Sequence, residues 1–271
     1  ALHDETGIRR FCLAGGSALN CVGNGKLLEQ DFVDEIFIQP AASDDGTAIG
    51  AAYLLYTAEH KSRFKMEHAY WGPEYSNEEV EEVLKKFDFK FDYYDDIEGI
   101  VAELLNRGEI VGRFQGRMEI GPRALGNRSI LANPTIPEMA DEVNIKVKHR
   151  EPWRPFAPSM LEESAKEYLK NSYPSPFMIL SSKVIEEKQK EIPAVVHVDG
   201  TTRAQTVTKK INQRYYRLIS EFEKVSGVPV ILNTSLNDRG EPIVCSPFDA
   251  INTFKKTGLT YLAIENYMVR K

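Results

Sequence analysis

The sequence predicts a mixed α/β fold, partly α+β in layout, and three observations point there. Strand, glycine turn and helix follow one another twice within the first 58 residues. Short apolar runs then alternate with amphipathic helical stretches to the end of the chain. The length, 271 residues at 42% hydrophobic content, is enough for about two domains on a prior of ~100–200 residues each.

The elements follow in order. Residues 9–13 form a short β-run ending at Gly15-Gly16, and 18–28 has a helical pattern. A second strand over 35–38 leads through Pro40-Ala41-Ala42-Ser43-Asp44-Asp45-Gly46 into 47–56, Ala-rich and apolar enough to predict a well-buried helix. The first strand begins almost at residue 1, so the chain is expected to start inside a domain. Residues 60–73 read as a linker or cover. Ser76 with Glu79 makes a capping box before a charged helix. Ile97, Ile100, Val101, Leu104 and Leu105 share one helical face that Gly108 ends. Residues 110–114 predict a strand, 136–147 a helix and 177–180 a strand. Tyr215, Leu218, Ile219, Phe222 and Val225 stripe a helix over 212–226, with Gly227 as its C-cap. A buried strand over 228–232, a helix over 247–257 and a last short strand over 261–264 complete the chain. The motifs from Gly112 to Ser246 fall in one segment, which predicts a self-contained second domain.

Charge narrows the partners. The net charge is −6 and the pI about 5.6, which argues against whole-molecule attraction to nucleic acid or an anionic membrane. No apolar run approaches the ~18–20 residues of a membrane span, and the first residues have no signal-peptide pattern. Cys12, Cys21 and Cys245 have no C-x-x-C spacing and read as buried free thiols in a reducing, cytoplasmic setting.

Against this acidic background the chemistry concentrates in one place. Residues 112–129 carry four arginines and four glycines. Glycine lets backbone approach a ligand, and arginine grips phosphate or carboxylate with two parallel N–H groups. From Arg113 to Arg154 eight Lys/Arg face five Asp/Glu, a net +3 that leaves −9 for the rest. Lys146, Lys148, Arg150 and Arg154 surround His149 and Trp153. A cationic island in an acidic chain fits a small anion better than a polymer; the alternative is a solvated loop with ion pairs. Asn233-Thr234-Ser235 follows a buried strand, as a ligand site or a plain turn. His197 and Asp199 are a base with its orienter, a metal pair, or simply a polar loop, which is the plainer reading. Arg203 suits an anion clamp. Gly15, Gly16 and Asn20 place N–H groups at a helix start, and Asp44-Asp45-Gly46-Thr47 adds carboxylates suited to a divalent metal.

The runs GGSALNCVGNGKLL (15–28), PAASDDGTAIGAA (40–52), GRFQGRMEIGPRALGNRSILA (112–132), HREPWRPFAPS (149–159), HVDGTTRAQTV (197–207) and GVPVILNTSLNDRGEPIVCSP (227–247) together resemble the C-terminal half of the bacterial O-carbamoyltransferases. These are enzymes that carbamoylate nodulation factors and antibiotics. The resemblance implies a partial actin-like ATPase-fold lobe over 1–62, a linker or cover over 63–98, and a YrdC-like α/β domain over 99–271. It implies an ATP-dependent enzyme that makes carbamoyl-adenylate from carbamoyl phosphate and ATP with Mg²⁺. In the full-length protein the carbamoyl group then passes to a small hydroxyl-bearing acceptor, in a lobe that holds Fe²⁺. Carried over, Arg123, Lys148, Arg203 and Ser235 are the catalytic set. Arg117, Arg128, Arg154, Asn233, Gly15, Gly16, Asn20 and Gly46 bind substrate or nucleotide, and Asp44 is a metal ligand. The histidine ligands of the family have no counterpart here. A non-catalytic module binding ATP or carbamoyl phosphate, and an RNA-binding YrdC-like module, are the other readings; the acidic balance weighs against RNA.

Overall fold

The computed structural model describes residues 1–62 and 65–271. Arg63 and Phe64, inside the segment read as a linker, lie outside the described residues. The N-terminal part runs α1 (Leu2–Thr6), β1 (Arg10–Leu13), α2 (Cys21–Leu28), β2 (Glu35–Ile38) and α3 (Thr47–His60), and β1 pairs with β2 in parallel. The helix expected over 18–28 is split. The Asn20 side chain accepts from Gly23 N at 3.1 Å and caps α2 as a new helix after a short 3₁₀ turn.

Helix α3 departs most from expectation. No residue of it is buried, and Leu54 and Leu55 are 71% and 69% exposed. An Ala-rich helix that is apolar all round needs neighbours on every side. Among the described residues only its Ile49 and Tyr53 side reaches a core.

The rest of the chain builds one larger layer structure. Its elements are α4 (Asn77–Leu84), β3 (Lys90–Tyr93), α5 (Ile97–Asn106), β4 (Val111–Phe114), β5 (Arg128–Ala132), α6 (Met139–Glu142), β6 (Ala157–Leu161), α7 (Ala165–Tyr168), β7 (Ser182–Lys183), β8 (Thr201–Thr202), β9 (Gln205–Val207), α8 (Gln213–Ser226), β10 (Val230–Ser235), α9 (Pro247–Lys256), β11 (Tyr261–Ile264) and β12 (Tyr267–Arg270). Eight strands form a mixed sheet in the order β3-β12-β11-β4-β5-β10-β6-β9. Only β4–β11 and β6–β9 pair in parallel. Alternate residues serve two cores. Ile130, Leu232 and Ile264 face one, with Val80, Leu84 and Phe254 of α4 and α9. Leu131, Ile231 and Ala263 face the other, with Val101 of α5 and Leu218 of α8. Covering both faces explains why the central strands read as unbroken apolar runs.

Several expectations change. The segment 63–98 is more than a cover: the Ser76–Glu79 capping box starts α4, and β3 forms the sheet edge against β12. Strands β3, β5, β6 and β12 were not evident in the sequence, while 177–180 is irregular. Phe177, Met178 and Ile179 instead bury against the N-terminal part. Val225 is exposed, outside the α8 stripe. The helix over 136–147 is α6 continued by a π turn at 143–147. The cysteines are not buried: Cys12 and Cys245 are exposed and Cys21 is half-buried. Among the described residues no helix is long and apolar enough to cross a membrane.

Candidate functional site

The glycine- and arginine-rich loop between β4 and β5 is held from within. Glu119 is buried, and its Oε1 accepts from the backbone N–H of Leu125 and Asn127 at 2.7 Å and of Arg128 at 3.3 Å. Burial pushes the Glu119 carboxyl up, and these donors pull it back. Gly121 (φ 103°) lies so close to the N-terminal part that a Cβ there would meet Pro40 O at 2.5 Å. Gly126 (φ 110°) turns the chain where any side chain would run into the Tyr215 ring. Between these two glycines the loop presents Arg123.

Arg123 lines a cavity of about 130 Å³ together with Arg150, Arg203, Asn233, Ser235 and Phe156. Five segments converge there: the 122–124 loop, the stretch entering β6, Met178 of the 173–181 segment, the approach to β9, and the end of β10. Among the described residues no carboxylate lies within ion-pair distance of Arg123, Arg150 or Arg203. Their only anchors are local. Arg150 Nε donates to Asn144 Oδ1 at 2.6 Å, and its guanidinium lies 4.7 Å from the Phe156 ring centre. Arg203 lies beside Cys21 at the start of α2. Arg123 Nε has no hydrogen-bond partner among the described residues. Burial and the neighbouring Arg123 pull the Arg203 guanidinium down to about 10. Burial also lowers Arg123 and Arg150. Three crowded cations, none in ion-pair contact with a carboxylate among the described residues, form an arrangement that a bound polyanion relieves.

Lys148 stands behind this wall. Its Nζ donates to Ser235 O (2.9 Å), Ser235 Oγ (3.3 Å), Asn237 O (2.8 Å) and Asn237 Oδ1 (2.7 Å). The side chain does not line the cavity; it fixes the turn that presents Ser235. Burial, reinforced by Arg150, pulls its ammonium down to about 7.

The structure thus brings Arg123, Arg203, Asn233 and Ser235 together, with Lys148 one step behind. It separates the other expected residues. Arg128 is fully buried, donating to Gln115 O, Asn127 O and Pro73 O with its guanidinium 3.6 Å from the Phe114 ring centre. It is a pillar of the loop and cannot reach a ligand in the cavity. Arg117 is exposed near Trp71 O and Glu74. Arg154 is exposed beside Glu151 at 3.7 Å. Gly15, Gly16, Asn20, Asp44 and Gly46 form a separate pair of turns tied by Gly15 N donating to Ala42 O at 2.7 Å. Gly46 is a packing glycine whose Cβ would strike Ala41 O. The Asp199 carboxylate accepts from Thr201 N and Oγ1 and, among the described residues, makes no direct bond to His197, whose Nδ1 meets the same Thr201 hydroxyl. Among the described residues no three His, Cys, Asp or Glu side chains converge as a metal site requires. Asp44 alone does not make a complete metal centre among the described residues. Arg150 was passed over among the arginines of its motif; its nearness to Pro155-Phe156, which enter β6, was the available signal.

The family model described as Carbamoyltransferase C-terminus matches residues 102–271, and Carbamoyltransferase N-terminus matches 1–53. The chain belongs to the carbamoyltransferase family. Nodulation protein NolO of Bradyrhizobium diazoefficiens is 45% identical over 274 residues, 98% of this chain and 50% of its own length. Nodulation protein NolNO of Sinorhizobium fredii is 45% identical over 278 residues, 99% of this chain and 41% of its own. An uncharacterized protein of Synechocystis is 43% identical over 300 residues, 100% of this chain and 49% of its own. The chain spans about half the length of the curated relatives it matches. Among solved structures, P. abyssi Sua5 complexed with L-threonine overlaps 62% of this chain and 46% of its own at TM-score 0.47 and 15% identity, too loose to carry a residue across.

Proposed function

We propose that the arginine cavity holds carbamoyl phosphate and that the chain uses ATP there to make carbamoyl-adenylate. The observation that carries this reading is the convergence of three guanidinia without carboxylate partners, and the Ser235 hydroxyl, on one cavity of about 130 Å³. Both substrates are polyanions, and bringing them together needs fixed cations. The balance takes one water: carbamoyl phosphate yields carbamate and phosphate. A carbamate oxygen then attacks the α-phosphorus of ATP, and pyrophosphate leaves as its bond to that phosphorus breaks. Arg123 and Arg203 hold phosphate and carbamoyl oxygens, and Arg150 adds a third cation. Ser235, steadied by Lys148, donates to the carbamoyl group or the α-phosphate. Positioning and charge stabilisation do the work, with no nucleophilic side chain. The cavity suits a group of carbamoyl phosphate size, which leaves the nucleotide's base and sugar to the surface where Arg154 stands. Mg²⁺ enters as the companion of ATP.

On this reading residues 99–271 are a YrdC-like domain, with α4 and β3 built onto its edge. Residues 1–62 belong to an actin-like lobe in which a longer protein passes the carbamoyl group to a small hydroxyl acceptor, with Asp44 as one ligand to the Fe²⁺ of that full-length protein. The work belongs to the cytoplasm, where ATP and carbamoyl phosphate are at hand. The test is pyrophosphate release by the chain given ATP, Mg²⁺ and carbamoyl phosphate without acceptor. Release that depends on carbamoyl phosphate is expected. ATP binding without release would favour a binding module, and RNA retention that falls steeply with salt would favour the RNA reading.

A further inference from the structure

Asn233 is 1% exposed and lines the arginine cavity, yet half of its amide has nothing to bond. Its Nδ2 faces three acceptors: Ala124 O at 3.2 Å, Ser159 Oγ at 2.9 Å and Gln205 Oε1 at 3.3 Å. Its Oδ1 has no donor among the described residues. The orientation is not arbitrary. Gln205 Nε2 donates to Leu125 O at 2.9 Å, which turns Gln205 Oε1 toward Ser159 and Asn233. Ser159 gives its own proton to that Oε1 at 2.7 Å, leaving its oxygen to accept from Asn233. Two main-chain carbonyls, at Ala124 and Leu125, therefore fix the whole relay. Rotating the Asn233 amide would set its oxygen against Ala124 O. A buried acceptor left unmet is costly, and native interiors rarely keep one without a use.

We infer that Asn233 Oδ1 selects the carbamoyl group by accepting a hydrogen bond from its amino N–H. This rests on the reading of the cavity as a carbamoyl phosphate site and deepens it. The arginines see phosphate and carbonyl oxygens, which carbamoyl phosphate shares with acetyl phosphate. The two molecules match in charge and nearly in shape, and differ in an NH₂ where the other has CH₃. Only an acceptor can tell them apart at that position. A methyl leaves Oδ1 unpaired, and the carboxylate oxygen of a carboxylated analogue meets it with repulsion. Discrimination built on a buried polar group exceeds what a shape difference alone supplies. Asn233 is thus a specificity residue, distinct from the charge-holding arginines.

The experiment measures binding of carbamoyl phosphate, acetyl phosphate and inorganic phosphate to the full chain by calorimetry, with and without Asn233→Ala. The wild-type chain is expected to prefer carbamoyl over acetyl phosphate by on the order of 10- to 100-fold. Asn233→Ala is expected to bring the two within about threefold by weakening carbamoyl phosphate alone, with acetyl phosphate and phosphate unchanged. Equal wild-type affinity for the two acyl phosphates overturns the inference whether or not the variant folds. A uniform loss of all three ligands in Asn233→Ala also overturns it, because that marks a purely structural amide. If the wild-type chain binds none of the three, the carbamoyl phosphate reading itself falls, and the selection role falls with it.

Discussion

Removing one guanidinium from the cavity has two opposed consequences: the ligand loses a charged contact, and the remaining arginines lose a repelling neighbour. For Arg123→Ala the first dominates in binding, at about 1.5–3 kcal/mol for a charge-assisted hydrogen bond. Arg150→Ala should weaken carbamoyl phosphate binding by a similar amount. Arg117→Ala, which alters an exposed pair with Glu74, should leave binding within error. Titration of the three variants checks this, and equal effects across all three would remove the cavity from consideration. Lys148 adds a pH dependence whose sign is fixed. Its folded value of about 7 lies below the ordinary lysine value of 10.5. Between those pH values the unfolded chain therefore holds up to one more proton at this side chain, and its contribution makes stability rise with pH across that window. Ligand binding runs the other way. A dianion in the cavity favours the ammonium, so binding takes up protons and weakens as pH rises above about 7. Calorimetry in buffers of different ionisation enthalpy reads the uptake, and Lys148→Met should abolish both that uptake and the stability slope.

Elements differ in how much of their placement their own residues declare. Helices α4, α5, α8 and α9 were legible because their caps and stripes are local: Ser76, Asn212 and Ser246 each accept from a first-turn N–H. Strands β5 and β6 were not, because Arg128-Ser129 and Pro158-Ser159 interrupt their apolar pattern, and the partners of Arg128 and Ser159 include Pro73 and Gln205, far along the chain. Helix α3 misled for the opposite reason, since apolar composition records a need for cover without saying whether the cover is present. In the site, Ser235 reads equally well as part of a plain turn, whereas Arg203 stands out as an anion clamp and Arg123 as a charge in a glycine-rich loop. Arg128 carries the same signal yet is spent inside the loop, a difference decided by tertiary packing. The loop makes a prediction of its own. Glu119→Gln retains one acceptor oxygen but loses the charge that gathers three N–H donors, and Gly126→Ala meets both positive φ and the Tyr215 ring. Gly126→Ala should cost roughly 1–3 kcal/mol of stability. Glu119→Gln should weaken carbamoyl phosphate binding more than it lowers Tm, because Arg123 rides on the loop. A Tm loss with unchanged affinity would contradict that coupling.

Across the whole molecule, the cavity is lined among the described residues by side chains between Pro122 and Ser235, while the loops that carry them pack on residues 1–62. Ala18, Ile38 and Ala42 share a core with Leu125, Ala157, Phe177 and Ile179. Asn24 Nδ2 donates to Ile179 O at 3.0 Å, and Ser181 N to Cys21 O at 3.1 Å. Gly121 rests on Pro40, and Arg203 on Cys21. Met178, a member of that shared core, is itself a cavity wall. The two main cores on either side of the eight-stranded sheet take almost nothing from residues 1–62, so deleting them should leave a folded sheet. The third core would be opened to water, at about 1.5–3 kcal/mol for each large apolar side chain uncovered. The segment 173–181, which has no regular structure of its own to hold it, should loosen first. A fragment starting at Lys65 is therefore expected to keep the far-UV spectrum of the sheet and its helices. It should melt at lower temperature and bind carbamoyl phosphate at least tenfold more weakly, with rapid amide exchange confined to 173–181 and the 119–127 loop. Undiminished affinity in that fragment would show that the arginines hold their geometry without the N-terminal support.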